Sequence, residues 1–207
     1  MRNSPITATI NGTQQQFKLL AASNACLRRN LIRFSHKIKQ EGLLAYHDEL
    51  TGLPNRSLLL DRLHQALQQA TRQHKQVLLM FIDLNQFKWV NDKLGHIAGD
   101  SLLQQVAMRL AVNIRGADTA CRYGGDEFVV MLPEIEGQHS ADAAVHKIRA
   151  QLAAPYVIDG QVITLTASIG TALYHGDKQS GEELIQQADL DMSHAKANSK
   201  PPTLSLI

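Results

Sequence analysis

The stretch CRYGGDEFVVML, residues 121–132, predicts how the chain folds. It reads as two strands, ACRY and EFVVMLP, on either side of Gly124 and Gly125, which supply the unusual backbone angles of a two-residue hairpin turn. Asp126 and Glu127 then place two negative charges at the tip of the hairpin, directly before an apolar run. Taken alone, Asp126 and Glu127 would be ordinary turn residues.

The segments around this hairpin alternate between helix and strand patterns. Apolar residues at helical spacing predict a helix in SLLLDRLHQALQQATRQ after Pro54 and Asn55, and further helices over about 99–114, 140–153 and 181–197. The apolar run VLLMFIDL predicts a strand covered on both faces, and VITLTASIGTALY predicts a long strand. The sequence therefore predicts an α/β fold in which helices cover a mixed, mainly antiparallel central sheet.

The first 46 residues divide into two segments. Residues 1–16 show no sustained period and predict a disordered or short extension. Residues 17–46 place apolar side chains at an alternating seven-residue spacing, which fits either a stalk helix that pairs with a second copy of itself or an amphipathic helix that lies on its own domain. Residues 47–207 then form one globular domain, and the helical stalk precedes it.

Composition gives no sign of a nucleic-acid or membrane partner. The chain has 21 Lys and Arg against 19 Asp and Glu, a net charge of +2, and its longest apolar run, VLLMFI, is too short to span a bilayer. Cys26 and Cys121 lie far apart, so we expect no disulfide framework and a reducing cytoplasm as the location.

Asp83 ends the buried strand, where a carboxylate facing water would be the ordinary explanation. A hairpin beside that strand would bring Asp126 within a few ångströms of Asp83, and carboxylates gather at such cost when a cation joins them. Oxygen ligands select a hard cation such as Mg²⁺. The chain contains neither G-x-x-x-x-G-K-[ST] nor G-x-G-x-x-G, so a phosphorylated substrate would depend on metal and on basic side chains.

Seven motifs follow one another in a fixed order, namely DELTGLPNR (48–56), DLNQFKWVND (83–92), LGHIAGDSLL (94–103), RGAD (115–118), RYGGDEF (122–128), SIG (168–170) and ADLDMSHAK (188–196). Over about residues 46–200 the chain resembles the GGDEF domain, the diguanylate cyclase family. The resemblance implies a fold like that of nucleotide cyclases and polymerase palms. It also implies a homodimer that condenses two GTP into cyclic di-GMP and releases pyrophosphate.

The resemblance assigns the hairpin charges to a site for two Mg²⁺ or Mn²⁺ ions. Asp83, the carbonyl of Leu84 and Asp126 match the family's metal ligands, and Glu127 has a supporting role at the metal. Asp126 is also the usual candidate for the base that activates the 3′-hydroxyl, so Asp126 and Glu127 are the expected catalytic pair.

Asn91 and Asp100 match the family's guanine-binding positions. A carboxylate at Asp100 can accept from N1–H and the 2-amino group of guanine, and adenine lacks both donors, so the site should reject ATP. Asp100 could also simply open the following helix, where the dipole favours acidic residues. His96 resembles a family residue near the nucleotide, and an ordinary loop histidine would look the same.

The resemblance implies phosphate contacts for three lysines, each of which alone would be an ordinary solvated surface lysine. Lys88 matches a phosphate-binding lysine, and Lys196 and Lys200 match the basic pair that grips the terminal phosphates. Gly124 and Gly125 let a bulky ligand approach the main chain.

The RGAD motif stands at the spacing of the family's inhibitory site, so Arg115 and Asp118 are candidates for binding the product. Lys147 lies near the position expected for a basic residue of a partner protomer. An alternative follows: a domain that has lost catalysis and senses cyclic di-GMP through Arg115 and Asp118. A transferase acting on another purine conflicts with Asn91 and Asp100.

The chain departs from the usual family pattern at three places. Ser199-Lys200-Pro201 replaces glycine-arginine-asparagine, Asn85 replaces a frequent aspartate, and Met192-Ser193 replaces a leucine-tyrosine pair. Lysine keeps the charge of arginine and loses its planar fork, so we expect weaker binding of the triphosphate.

Overall fold

The computed structural model describes residues 28, 45–177, 179–196 and 203–206. The predictions for residues 1–16, for most of the stalk (17–46) and for Lys200 therefore lie outside the described residues, and so does Cys26. Arg28, Ala45 and Tyr46 are helical. None of the helices in the described ranges combines the length and the apolar character needed to cross a membrane.

The helices and strands of the domain alternate in the predicted manner. In chain order they are α1 (Arg56–Gln73), β1 (Gln76–Leu84), α2 (Phe87–Leu94), α3 (His96–Asn113), β2 (Thr119–Gly124), β3 (Glu127–Ile135), α4 (Gly137–Ala153), β4 (Tyr156–Ile158), β5 (Gln161–Thr164), β6 (Ala167–Tyr174), α5 (Gly181–Lys196) and β7 (Thr203–Leu206). The predicted α1, β1, β2, β3, α4 and α5 are confirmed to within a few residues at their ends.

The central sheet has the strand order β2-β3-β1-β6, and each of its pairings is antiparallel. Residues of β1 alternate between two cores: Met80 and Ile82 pack with α3 and α4, whereas Leu79 and Phe81 pack with α1 and α5. Because both faces are covered, β1 is buried from Val77 to its end, as its uniformly apolar sequence predicts. The α/β fold with a helix-covered antiparallel sheet is therefore confirmed.

Helix α1 begins where the sequence predicts. Asn55 is its N-cap, and the side-chain oxygen of Asn55 accepts a hydrogen bond from the Leu58 N–H at 3.1 Å. This bond satisfies one of the amide groups that the first helical turn leaves unpaired.

The region between β1 and β2 differs from the prediction. A helix that the periodicity did not indicate, α2, precedes Gly95, and α3 begins at His96 rather than near Gly99. Gly95 has a φ of 84°, so it ends one helix and allows the next to start in a new direction. Asp100 consequently lies in the second turn of α3, and the idea that Asp100 opens this helix is wrong.

The predicted long strand over 162–174 is also wrong, because the chain leaves one sheet and enters another. Strand β5 pairs with β4 and β7 in a small second sheet, and β6 joins the central sheet. Between them, the carbonyl of Thr166 accepts the Asn85 N–H at 2.9 Å, and its hydroxyl accepts the Asn85 amide at 2.8 Å. The first of these bonds uses a backbone carbonyl that a continuous strand would have given to a neighbouring strand.

Candidate active site

The tip of the signature hairpin lies one residue later than predicted. Strand β2 runs to Gly124 and β3 starts at Glu127, so Gly125 and Asp126 form the turn. Gly124 and Gly125 do not have left-handed φ angles, and the prediction that they supply unusual backbone angles is wrong. A Cβ on Gly124 would lie 3.2 Å from Glu127 Oε2, whereas a Cβ on Gly125 would meet nothing within 4 Å. Glycine therefore relieves crowding against Glu127 and leaves open space at the tip.

The sheet register brings the predicted carboxylates to one edge. Asp83, near the end of β1, lies opposite Glu127 on β3, and the Leu84 N–H donates to the carbonyl of Asp126 at 3.3 Å. Only 4% of Asp83 is exposed. Burial and the charge of Asp83 raise the pKa of Asp126, and the same two causes raise the pKa of Glu127. The three carboxylates thus act on one another electrostatically.

Lys196, at the end of α5, provides the positive charge at this edge. Its Nζ donates to Asp83 Oδ2 at 2.8 Å, and this hydrogen bond raises the pKa of Lys196. The resemblance assigned Lys196 to the terminal phosphates, whereas the structure pairs it with Asp83. About half of the Lys196 side chain, 49%, remains exposed.

The second carboxylate oxygen of Asp83 decides whether a metal fits the site. Asp83 Oδ1 is buried and has no hydrogen-bond partner in the part of the chain that the structure describes. Within the same ranges, no group of three or more His, Cys, Asp or Glu side chains is already drawn together as a metal cage. A buried carboxylate oxygen without a partner is rare in proteins and fits a hard divalent cation, which prefers oxygen ligands. The donor set fits Mg²⁺ or Mn²⁺.

Two residues that the sequence analysis gave no role position Lys196. A Cβ on Gly170 of β6 would lie 2.0 Å from Met192 N and 2.2 Å from Ala188 O, so glycine lets the backbone of α5 cross directly over β6. Asp191 of α5 accepts a hydrogen bond from the Thr171 N–H at 2.7 Å. The SIG motif marked Gly170, but the partner helix is visible only in the fold.

A second missed group ties the hairpin to the segment before α1. Arg122 donates from Nε and Nη2 to the carbonyl of Gly125 at 3.0 and 2.8 Å, and from Nη1 to both oxygens of Asp48 at 3.0 and 3.2 Å. Asp48 also accepts from the amide and hydroxyl of Thr51, at 2.9 and 2.6 Å. We name Arg122 and Asp48 the hairpin clamp, because they fix the turn that carries Asp126.

The substitution at Asn85 is accommodated inside the protein. Asn85 is buried, its amide donates to Thr166 as described above, and its side-chain oxygen accepts from the Ser168 hydroxyl at 2.7 Å. Both ends of the amide are therefore satisfied, and this position adds no negative charge next to Asp83.

The predicted nucleotide-binding residues lie on two adjacent helices. Lys88 and Asn91 belong to α2, whereas His96 and Asp100 belong to α3. Lys88, His96 and Asp100 are exposed, and Asn91 is half-buried with its side-chain oxygen against Gly99. The fold thus places the predicted guanine ligands on one helix pair.

The RGAD motif folds into a turn closed on itself. The Arg115 N–H donates to Asp118 Oδ2 at 2.7 Å, and the Asp118 N–H donates to the Arg115 carbonyl at 3.0 Å. Arg115, Asp118 and Lys147 line one cleft of about 410 Å³. Lys147 belongs to the same chain as Arg115, and its Nζ donates to the Asn113 carbonyl at the end of α3 at 2.7 Å. It therefore does not need a partner protomer to reach this cleft.

Comparisons with known proteins give the same family as the motifs. The family model described as "Diguanylate cyclase, GGDEF domain" matches residues 45–201. The chain belongs to the GGDEF family. This GGDEF domain is 46% identical over 179 residues to MucR of Pseudomonas aeruginosa, which is named a bifunctional diguanylate cyclase/cyclic di-GMP phosphodiesterase. The aligned residues make up 86% of this chain and 25% of MucR. The chain thus spans only about a quarter of that relative.

Solved structures agree with the fold of the domain. The GGDEF domain of TpbB from P. aeruginosa has a TM-score of 0.71 and 38% identity, covering 74% of this chain and 90% of that one. A second structure contains the coiled coil and GGDEF domain of DgcB from Caulobacter crescentus in complex with cyclic di-GMP. It has a TM-score of 0.77 and 26% identity, and the match covers 86% of this chain and 94% of that one.

Proposed function

We propose that this GGDEF domain is a diguanylate cyclase, which condenses two GTP into one cyclic di-GMP and releases two pyrophosphates. The observation that supports it best is Asp83: a buried carboxylate with one unpartnered oxygen, set opposite a hairpin whose own carboxylates have raised pKa values. Neighbouring carboxylates with raised pKa values are typical of reaction centres, because at other places in a protein their repulsion only lowers stability.

Asp83, the carbonyl of Leu84, Asp126 and Glu127 are the proposed ligands of two Mg²⁺ or Mn²⁺ ions in each site. Divalent cations supply charge that offsets the triphosphate and favours the 3′-hydroxyl as its alkoxide. The oxygen-only donor set and the unpartnered Asp83 Oδ1 support this assignment.

Asp126 is the proposed base for the 3′-hydroxyl. The assignment rests on the place of Asp126 in the turn of the hairpin, beside the end of β1, where a carboxylate can accept a proton from a hydroxyl held near the proposed metal ligands. Lys88 and the exposed part of Lys196 are the proposed phosphate contacts, with Lys200 beyond the described residues. Asn91 and Asp100 bind guanine, with His96 near the nucleotide.

The proposed unit of activity is a homodimer, because one domain binds one GTP and the product contains two. The segment 17–46 would then act as a stalk that brings two domains of residues 47–207 face to face. The reaction places this domain in the cytoplasm, which supplies GTP.

The cleft at Arg115, Asp118 and Lys147 is the proposed site of product inhibition. Its two basic side chains favour an anionic ligand, and its lining residues lie at the opposite end of β2 and β3 from the hairpin turn. The same cleft supports the second candidate function, a cyclic di-GMP receptor without turnover.

The test is to incubate the purified chain, freed of bound nucleotide, with GTP and Mg²⁺ and to resolve the products by chromatography. We expect cyclic di-GMP and two pyrophosphates for each product formed. The matched control is Asp126→Asn, which keeps the shape and removes the charge, and its turnover should fall by about a hundredfold or more. If the wild type yields no product but binds labelled cyclic di-GMP in an Arg115-dependent manner, the receptor function replaces the cyclase.

A further inference from the structure

Gly99, on α3, is in unusually close contact with Asn91 of α2. A Cβ built on Gly99 would lie 1.9 Å from Asn91 Oδ1, 3.0 Å from Asn91 Cγ and 3.2 Å from Phe87 Cζ. Cβ atoms essentially never approach another heavy atom closer than 3.0 Å. The amide of Asn91 therefore occupies the volume that any side chain at position 99 would fill.

The backbone of Gly99 does not itself require glycine. Gly99 lies within α3 and has no left-handed φ, unlike Gly95, whose φ is 84°. Glycine is a poorer helix former than alanine, because it loses more conformational freedom on folding. The local sequence is thus less favourable for the helix than it could be, and the only gain is space over the Cα atom.

That space holds a polar group with no partner of its own. The backbone carbonyl of Asn91 accepts the Gly95 N–H at 2.9 Å, at the end of α2. In residues 45–177 and 179–196, the side-chain amide of Asn91 makes no hydrogen bond. Asp100 follows Gly99 directly on α3, and its carboxylate is exposed and likewise unpaired in these ranges. Gly99 therefore seats the Asn91 amide against the turn of α3 that also carries Asp100, and neither side chain is taken up by another residue in these ranges.

We propose that Gly99 is a positioning residue for nucleotide selectivity, which holds the Asn91 amide against the turn of α3 that carries Asp100, so that the two side chains can read one purine edge. The inference rests on the proposed function and deepens it, because it names the part of the fold that selects guanine. Only the ends of two side chains, Asn91 and Phe87, stand in the way of a Cβ, so Gly99→Ala should rotate the Asn91 amide out of place and leave the two helices where they are.

The test compares the wild type with Gly99→Ala, Asn91→Ala and the double variant. Initial rates give KM and kcat for GTP, and a fluorescent GTP analogue gives Kd without turnover. We expect Gly99→Ala to raise KM and Kd by about tenfold, with kcat at saturation within about twofold. The double variant should bind GTP no more weakly than Asn91→Ala, because the two changes remove one interaction.

Val112→Ala is the control on the same helix, since Val112 lies in the last turn of α3 and is 73% exposed, and KM for GTP should not change. An unchanged KM in Gly99→Ala would overturn the inference, and so would a double variant that binds more weakly than Asn91→Ala. If Gly99→Ala does not fold, the Kd of the folded double variant is compared with that of Asn91→Ala, and equal values support the inference.

The outcomes separate this inference from the proposed function. A wild type that binds GTP but forms no cyclic di-GMP removes the cyclase, while the Kd values still decide the role of Gly99. A wild type that binds no GTP overturns both.

Discussion

The signature hairpin and the RGAD turn are both short polar loops, but they are held in opposite ways. The hairpin carboxylates depend on residues remote in sequence: Arg122 reaches Asp48, and Lys196 reaches Asp83 from the far end of the chain. The RGAD turn is closed by Arg115 and Asp118 themselves. One loop thus requires the whole domain, whereas the other requires four residues.

This difference indicates what each loop is suited to do. A reaction centre must hold like charges close together, which only a surrounding fold can enforce. A regulatory anion site needs an accessible basic group, and in the described ranges the guanidinium of Arg115 makes no hydrogen bond or ion pair, although its backbone closes the turn. Substitutions at the hairpin clamp should therefore change catalysis and stability together, and substitutions at the RGAD turn should change only ligand binding.

The largest effect is expected at the buried carboxylate. Asp83→Asn removes the charge with the least change in shape, so turnover of GTP should fall by about a thousandfold or more. Stability should change little, because the loss of the ion pair with Lys196 is offset by the removal of a buried charge with one unpartnered oxygen. Rate assays and thermal unfolding measure the two quantities. A variant that loses stability in proportion to activity would contradict a catalytic role.

The hairpin clamp is the next strongest test. Arg122→Ala should lower the free energy of unfolding by about 1–3 kcal/mol, because it breaks a half-buried ion pair and frees the Gly125 carbonyl. Turnover should fall by about ten- to a hundredfold, since the turn that carries Asp126 loses its anchor.

Lys75→Ala is the matched control for the clamp, because Lys75 and Glu136 form an ion pair with side chains 40% and 77% exposed. It should cost at most about 0.5 kcal/mol and leave turnover intact. Equal losses in both variants would mean that the clamp is an ordinary surface pair.

Arg115→Ala should weaken binding of cyclic di-GMP by about tenfold or more, because it removes a planar cationic group from the cleft. The initial rate with GTP, measured while product is continuously removed, should stay within about twofold. Calorimetric titration with cyclic di-GMP measures the affinity. A parallel loss of turnover would show that the two loops are not independent.

The smallest effect concerns pH. Burial raises the pKa of Asp48, but hydrogen bonds from Thr51 and Arg122 outweigh it and hold the pKa below the ordinary 3.8. The stability that the ionised form contributes is therefore complete above pH 3.8 and is lost as pH falls through the lower, folded value. Urea unfolding should show a wild type about 1 kcal/mol more stable than Asp48→Asn near pH 6, with the gap narrowing as the pH falls below 3.8.

Local signals in the sequence account for much of the fold. The uninterrupted apolar run predicts β1, and Asn55 predicts the start of α1, because both depend on neighbouring residues alone. Helix α2 was not predicted, because its eight residues are too few to show a clear helical period. The prediction of one long strand over 162–174 was wrong, because Leu165 and Thr166 are typical strand residues although the chain leaves the strand there.

The site residues divide in the same way. Asp83, Asp126 and Glu127 stand out in the sequence as charges beside apolar runs. Asp48, Gly99 and Gly170 do not, because each acts on a residue that the chain brings close only by folding. The pairing of Lys196 with Asp83 could not be predicted for the same reason, with more than a hundred residues between the partners.

The proposed role of Asp83 and the hairpin carboxylates is to bind divalent cations. The most direct test is a titration with Mn²⁺ in the presence of a non-reactive GTP analogue, followed by electron paramagnetic resonance. With the analogue alone as the blank, the wild type should bind additional Mn²⁺, and Asp83→Asn should lose at least one of these ions. If both proteins bind Mn²⁺ with the same stoichiometry and affinity, Asp83 is not a metal ligand, and the proposed cyclase site is contradicted.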